Sequence, residues 1–259
     1  MHPATKISAD SGWRDGGLSA SFADGLSTSF FHLVFYCLIV GSLRALLAVG
    51  ARVKVVIFHQ PPRGAFVMAS NHVSHFDPPF LSGWLPRKID WIAMSELFGT
   101  GWSKTGFNWL DVIPVDRGGD DRHALREALR RLSIGRVIGV FPEGGIRDGE
   151  QSMLAGAAFR DGAVMLAVHA GCPIVPVVIL GSERLYNAKN WLPWRRARVF
   201  IAVGAAVLPP EQKSRSAARE QMRADLAAAM VRLKDDLVAR CSLGENDLPH
   251  SPRERMAEA

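Results

Sequence analysis

The chain has 259 residues, enough for one large domain with its own core, or at most two. Its 31 Lys and Arg against 25 Asp and Glu give a formal net charge of +6, which favours anionic partners such as phospholipid headgroups, coenzyme A or nucleic acid. The basic residues are scattered, and no zinc-finger, helix-turn-helix or RNA-binding motif accompanies them, so a nucleic-acid partner is set aside. The three cysteines, Cys37, Cys172 and Cys241, are odd in number and far apart, which excludes a disulfide framework. Cys37 and Cys172 lie in apolar runs and are expected to behave as small buried hydrophobes.

Residues 1–24 are rich in Ser, Gly, Ala and Asp and read as a flexible N-terminus. The next segment, 25–50, contains the apolar run from Phe30 to Val40, continued by Leu43 to Val49 across Gly41 and Arg44. A clean membrane span needs about twenty apolar residues. His32 and Arg44 interrupt this one, so one or two helices embedded in a single leaflet are expected, with a core helix packed on the domain as the alternative. A secretory signal fits poorly: the apolar run starts late, no basic stretch adjoins it, and no small-residue cleavage site follows.

From residue 51 to 241 strands and helices alternate. Val53 to Phe58 reads as a strand, and Ala65 to Ser70 as a short buried strand after the turn Pro61-Pro62-Arg63-Gly64. It runs into Asn71-His72-Val73-Ser74-His75-Phe76-Asp77-Pro78-Pro79-Phe80, whose prolines suit the first turn of a helix. The polar residues thus fall on a strand-to-helix connection, where scaffolds tend to carry reactive groups. A neutral imidazole there can take a proton from a hydroxyl if a carboxylate holds its other nitrogen, the role expected of His72 and Asp77. Other duties fit the same residues: backbone bonding by His72 or His75 and helix capping by Asp77. His75 is a rival base, two residues from Asp77. A zinc site on His72, His75 and Asp77 would lack a second cluster to complete four ligands, so no metal is expected.

Ile89 to Ala93 is the next strand, followed by helix or loop from Glu96 to Trp109. The strand Val112 to Val115 then leads into Asp116, Arg117 and the flexible Gly118-Gly119. Arg122 to Leu132 has helical spacing, with Ala124, Leu125, Ala128, Leu129 and Leu132 on one side, and the arginines through Arg136 read as a solvated face. Val137 to Phe141 is a strand that ends in Pro142-Glu143-Gly144-Gly145-Ile146-Arg147. Ala157 to Ala170 is a helix stopped by Gly171. Ile174 to Ile179 is an apolar run containing Pro176, and Ala197 to Val207 is the last strand. Between them Trp191, Trp194, Arg195, Arg196 and Arg198 suit either a membrane interface or a surface loop, with Tyr186 and Lys189 nearby. Ala217 to Arg240 is a long helix, and residues 242–259 read as a loose tail. The fold class is α/β: a single domain with a mainly parallel central sheet flanked by helices, plus an N-terminal membrane-associated helical element.

Four blocks in this order, within residues 53 to 210, resemble the PlsC-like glycerolipid (lysophosphatidic acid) acyltransferases. Asn71-His72-Val73-Ser74 with Asp77, Ile113-Pro114-Val115-Asp116-Arg117, Phe141-Pro142-Glu143-Gly144 and Val175-Pro176-Val177 are similar to the family's motifs. The resemblance implies that His72 and Asp77 are catalytic and that Arg117 binds the substrate phosphate. It implies that Glu143 and Gly144 shape the acceptor site, while Pro176 lines an apolar channel. Backbone N–H groups near Gly144 and Gly145 are expected to assist the oxyanion. This chain departs from the family where Thr-Arg-Ser usually follows Glu-Gly: Gly145-Ile146-Arg147 stands there, so Arg147 is a candidate to replace the displaced arginine. Met94 stands where relatives often carry lysine, and Asp111 where they often carry glycine. The implied reaction moves an acyl group from acyl-CoA or acyl carrier protein to a lysophospholipid hydroxyl, without cofactor, at the cytoplasmic face of the inner membrane. Another lyso-lipid acceptor, such as lyso-ornithine lipid or a glycerol phosphate, and a catalytically idle lipid-binding protein are the alternatives.

Overall fold

The computed structural model describes residues 22–98, 109–115, 122–192, 194–211, 214–251 and 253–254. The expected flexible N-terminus falls almost wholly outside these residues, as does Arg117. Among the described residues seven strands form one sheet: β1 (Ala51–Ile57), β2 (Phe66–Ser70), β3 (Ile89–Met94), β4 (Ile113–Val115), β5 (Val137–Val140), β6 (Ile174–Leu180) and β7 (Ala197–Val203). Their order is β1-β7-β6-β2-β5-β3-β4, and every adjacent pair is parallel except β6 with β7. The mainly parallel α/β sheet expected from the sequence is therefore present.

Apolar residues on both sides of the central strands explain a sheet covered on both faces. In β2, Val67 and Ala69 point into one core, while Phe66 and Met68 point into the other, as the two-residue period of a strand requires. The first core is roofed by α3 (Arg122–Ser133), α4 (Gly162–Ala170) and α5 (Arg215–Cys241). The second is covered by α2 (Asp77–Trp84) and the C-terminal part of α1 (Phe22–Gly50). Gly171 ends α4 in the left-handed conformation, as its position after Ala170 leads one to expect.

The N-terminal apolar segment is one continuous helix of 29 residues. Tyr36 and Leu47 are buried against the domain, and Arg44 lies over the ring of Trp84 at 5.2 Å. Arg196 closes the helix end, donating to the carbonyls of Ala48 and Ala51 at 2.5 and 2.8 Å. Yet Leu33, Leu38 and Leu46 remain 50%, 62% and 55% exposed, and Cys37, expected to be buried, is exposed beside them. Length and composition alone would allow the stretch Leu33–Gly50 to cross a membrane. Cys172 is buried as expected, and burial pushes its thiol up to about 11, so it is inert at neutral pH.

Two expectations are corrected. The arginine-rich stretch is not simply a solvated face: Arg131 and Arg136 reach Asp90 at 3.1 and 2.6 Å, and Arg136 also binds Asp111 at 2.5 Å with Lys88 as its second partner. Asp111 has a positive φ of 57°, tolerable for Asp and easier for glycine. Burial raises the Asp90 carboxyl; in Asp111 burial acts the same way but is outweighed by the bonds from Lys88 and Arg136, which leave it lowered. Nor is the described part of the tail loose, because buried Asp247 accepts bonds from Arg198 at 2.6 and 2.8 Å and from Arg184 at 3.0 Å.

Asp90 is almost fully buried, so removing a cation leaves it poorly compensated. Arg136→Met is expected to lower stability by about 3 kcal/mol in urea unfolding monitored by circular dichroism.

Candidate active site

The carboxyl ends of the adjacent strands β6, β2 and β5 meet at one edge of the sheet, where open α/β folds place ligands. The loop after β2 brings His72 and Asp77 together: Nδ1 of His72 lies 2.8 Å from Oδ2 of Asp77. That carboxylate also accepts the backbone N–H groups of Val73 and Ser74, each at 2.8 Å, while Ser182, just after β6, donates to Oδ1. Asp77 has no exposed surface. Although α2 begins at Asp77, its side chain caps nothing in the helix and turns back into the loop instead.

The hydrogen bonds distinguish the two candidate bases. A carboxylate can only accept, so His72 carries its proton on Nδ1 and presents the Nε2 lone pair. At His75 the Tyr186 hydroxyl accepts the backbone N–H at 3.0 Å and lies 2.5 Å from Nδ1. His75 thus has a phenol where His72 has a buried carboxylate, and among the described residues no carboxylate bonds its ring to stabilise an imidazolium. These separate engagements also dissolve the cluster of His72, His75 and Asp77 considered from sequence as a zinc site. Among the described residues no group of three or more His, Cys, Asp or Glu is arranged to hold a metal ion.

Glu143 does not line the reaction space. It is buried, and its Oε2 accepts the backbone N–H of His72 at 2.6 Å, while Oε1 accepts Ser152 Oγ–H and Met153 N–H, both at 2.8 Å. Burial raises its carboxyl above the usual range, opposed by these donors in turn, His72 N–H first. Asn71 fixes the loop from the other side through an amide pair with Ile179, donating to its carbonyl and accepting its N–H, both at 2.9 Å. The His72 ring stacks on Phe141 at 4.1 Å, and Phe141 stacks on Trp91 at 4.7 Å. Gly139 makes room for that stack: a Cβ there would stand 2.7 Å from the Trp91 ring.

A cavity of about 680 Å³ opens beside His72 and His75. Tyr36, Val40 and Leu43 of α1 form one wall, and Trp91, Met94, Leu125 and Met165 extend it into the domain. Gly144 and Gly145 border it, as expected, but the N–H of Gly144 is already bonded to the Phe141 carbonyl at 3.0 Å. Gly145 is thus the better oxyanion donor of the two, its N–H having no acceptor among the described residues. Arg147 gives its backbone N–H to the His72 carbonyl at 2.8 Å, but its side chain is exposed and does not border the cavity. Pro176 is not a channel wall either; its carbonyl receives Gly204 N–H at 3.0 Å, which joins β6 to β7. Trp191 is partly buried, packed against the second core and bonded to the Leu185 carbonyl, whereas Trp194 is 75% exposed. Ser152, Ser182 and Arg160, the last on the cavity wall, went unpredicted, since none stands in a motif or a spacing that marks it, and Tyr186 was noted only beside the Trp–Arg cluster, not as a partner of His75.

A protein-family model described as Acyltransferase matches residues 52–180, the stretch that holds His72, Asp77 and Glu143. The chain belongs to the acyltransferase family that this model describes. It is 34% identical over 175 residues to mouse 1-acyl-sn-glycerol-3-phosphate acyltransferase alpha, covering 65% of this chain and 58% of that protein. With the Bacillus subtilis 1-acyl-sn-glycerol-3-phosphate acyltransferase it shares 29% identity over 57% of this chain and 72% of that one. The chain thus spans little more than half the length of the mouse relative. The fold is similar to the crystal structure of the 1-acyl-sn-glycerophosphate (LPA) acyltransferase PlsC from Thermotoga maritima, with a TM-score of 0.55, 22% identity, and coverage of 82% of this chain and 92% of that one.

Two outcomes are expected. His72→Ala and Asp77→Asn should each reduce turnover by about a hundredfold or more with the fold retained, as loss of a general base does, whereas His75→Ala should cost less than about tenfold. Glu143→Gln should also fall, by roughly tenfold or more, because an amide cannot accept from His72 N–H and from the Ser152–Met153 pair at once. Steady-state kinetics with thermal melts of each variant check both.

Proposed function

We propose that the chain transfers a fatty acyl group from a thioester, acyl-CoA or acyl carrier protein, to the free hydroxyl of 1-acyl-glycerol-3-phosphate, forming phosphatidic acid for phospholipid synthesis. The observation that carries this is an imidazole whose Nε2 is left unprotonated by Asp77 and which borders a large apolar cavity. The acceptor hydroxyl gives its proton to His72 Nε2 as its oxygen adds to the thioester carbonyl. Asp77 stabilises the imidazolium that forms, as a buried carboxylate partner does in related acyl-transfer sites. The carbon–sulfur bond then breaks, and the imidazolium returns the proton to the departing thiolate. An ester and a free thiol result, with no acyl-enzyme intermediate. Arg117 is assigned to the acceptor phosphate by resemblance, because a guanidinium binds phosphate oxygens through paired donors.

A second reading, an acceptor lyso-lipid without a phosphomonoester, is favoured by one observation: Arg147 lies off the cavity wall. Incubating the protein with a panel of lyso-lipids and both thioester donors, and identifying products by mass spectrometry, decides between them. Phosphatidic acid as the main product is the expected result; acylation of phosphate-free lyso-lipids alone would select the second reading, and no acyl transfer to any acceptor would refute both.

The same proposal places the chain on a membrane, at the cytoplasmic face of the inner membrane in a bacterial cell, with α1 in contact with lipid. Leu38 and Leu46 are exposed and contribute little to the core. Each leucine removed from water is worth roughly 1.5–3 kcal/mol. Leu38→Gln with Leu46→Gln should therefore weaken binding to phospholipid vesicles at least about tenfold in sedimentation assays, with the melting temperature unchanged.

A further inference from the structure

We propose that Arg160 binds a substrate phosphate at this cavity, an inference that rests on the acyl-transfer reading above. Among the described residues that line the cavity, Arg160 is the only lysine, arginine or carboxylate; the rest of the wall is apolar or neutral. Its root is fixed by its backbone N–H, which bonds the Pro142 carbonyl at 2.9 Å. Its guanidinium end lies across Gly144: a Cβ there would stand 2.5 Å from Nε and 2.8 Å from Cζ. Gly144 has a φ of +68°, so this turn requires glycine both for its backbone and for the room it leaves Arg160. No hydrogen bond or ion pair engages the Arg160 side chain within the described residues. The adjacent carboxylate, Asp161, is paired with Arg223 on α5. A guanidinium fixed at its root, open to solvent and beside a reaction cavity is well suited to bind an anion.

Two substrates could bring a phosphate. In coenzyme A, as in the prosthetic group of acyl carrier protein, the full pantetheine arm separates phosphate from thioester. In 1-acyl-glycerol-3-phosphate only a few bonds separate phosphate from the free hydroxyl. Arg160 packs against the residue next to Glu143, and Glu143 bonds the backbone of His72. The cation and the base that must receive the hydroxyl proton thus border one cavity and are joined through the Glu143–Gly144 turn, which favours the acceptor phosphate.

The test compares wild type, Arg160→Gln and Arg160→Lys on 1-acyl-glycerol-3-phosphate, on the monoacylglycerol that lacks the phosphate, and on acyl-CoA as varied substrate. Loss of a charge-assisted contact should lower kcat/KM for the phosphate-bearing acceptor about ten- to a hundredfold in Arg160→Gln, mainly through KM. The values for monoacylglycerol and the KM for acyl-CoA should stay within about threefold, and Arg160→Lys should recover part of the loss. A rise confined to the KM for acyl-CoA would assign Arg160 to the donor's phosphate instead. Equal losses on both acceptors, or none, would overturn the proposal. Calorimetric binding of 1-acyl-glycerol-3-phosphate without any thioester separates this inference from the reaction itself. If wild type transfers no acyl group yet binds this lipid at least tenfold more tightly than Arg160→Gln, the phosphate site stands and the reaction reading fails. If the two bind alike, Arg160 is not a phosphate ligand.

Discussion

A carboxylate with no exposed surface needs donors on both oxygens, and the loop after β2 is shaped by meeting that need at Asp77. The N–H groups of Val73 and Ser74, the His72 ring and the Ser182 hydroxyl converge on it. Charge-assisted bonds of this kind are about twice as strong as neutral ones, and leaving a buried charge short of partners is costly. The loop must therefore wrap around Asp77, and wrapping it fixes which imidazole nitrogen holds the proton. Chemistry and local folding depend on the same bonds.

Around that centre the other constraints act on backbone. Glu143 grips the N–H of His72, Arg147 N–H grips its carbonyl, and the Asn71 amide ties the preceding residue to β6. Three strands that are distant in sequence but adjacent in the sheet thus hold one peptide from different sides. The ring itself is steadied by stacking on Phe141, which Trp91 backs in turn. Because α1 forms part of the cavity wall while exposing leucines to its surroundings, the reaction space lies next to the surface proposed to meet lipid. An acyl chain could then reach the cavity without crossing much water.

Much of the fold was legible because strand and helix periods are written locally: β2, β3, β5 and α3 fall within a residue or two of where apolar spacing places them. His72 and Asp77 were legible because their partnership spans five residues. Glu143 was noticed, but its task was not, since holding a backbone N–H 71 residues away leaves no mark in local sequence. For the same reason Arg131 and Arg136 read as a solvated face: the carboxylates that draw them inward, Asp90 and Asp111, belong to β3 and the turn before β4. Cys37 misled through the opposite error, because an apolar neighbourhood on a helix that the domain covers on one side only does not mean burial in protein. Arg160 lies in no motif and gains meaning only from the glycine it crosses.

The central claim is that Asp77 leaves His72 with an unprotonated Nε2. Nitrogen-15 spectra of histidine-labelled protein at neutral to mildly alkaline pH, with each signal assigned by difference against His72→Gln and His75→Gln, read this directly. The account predicts a pyridine-type Nε2 with a pyrrole-type Nδ1 for His72. A protonated Nε2 on neutral His72 would contradict it.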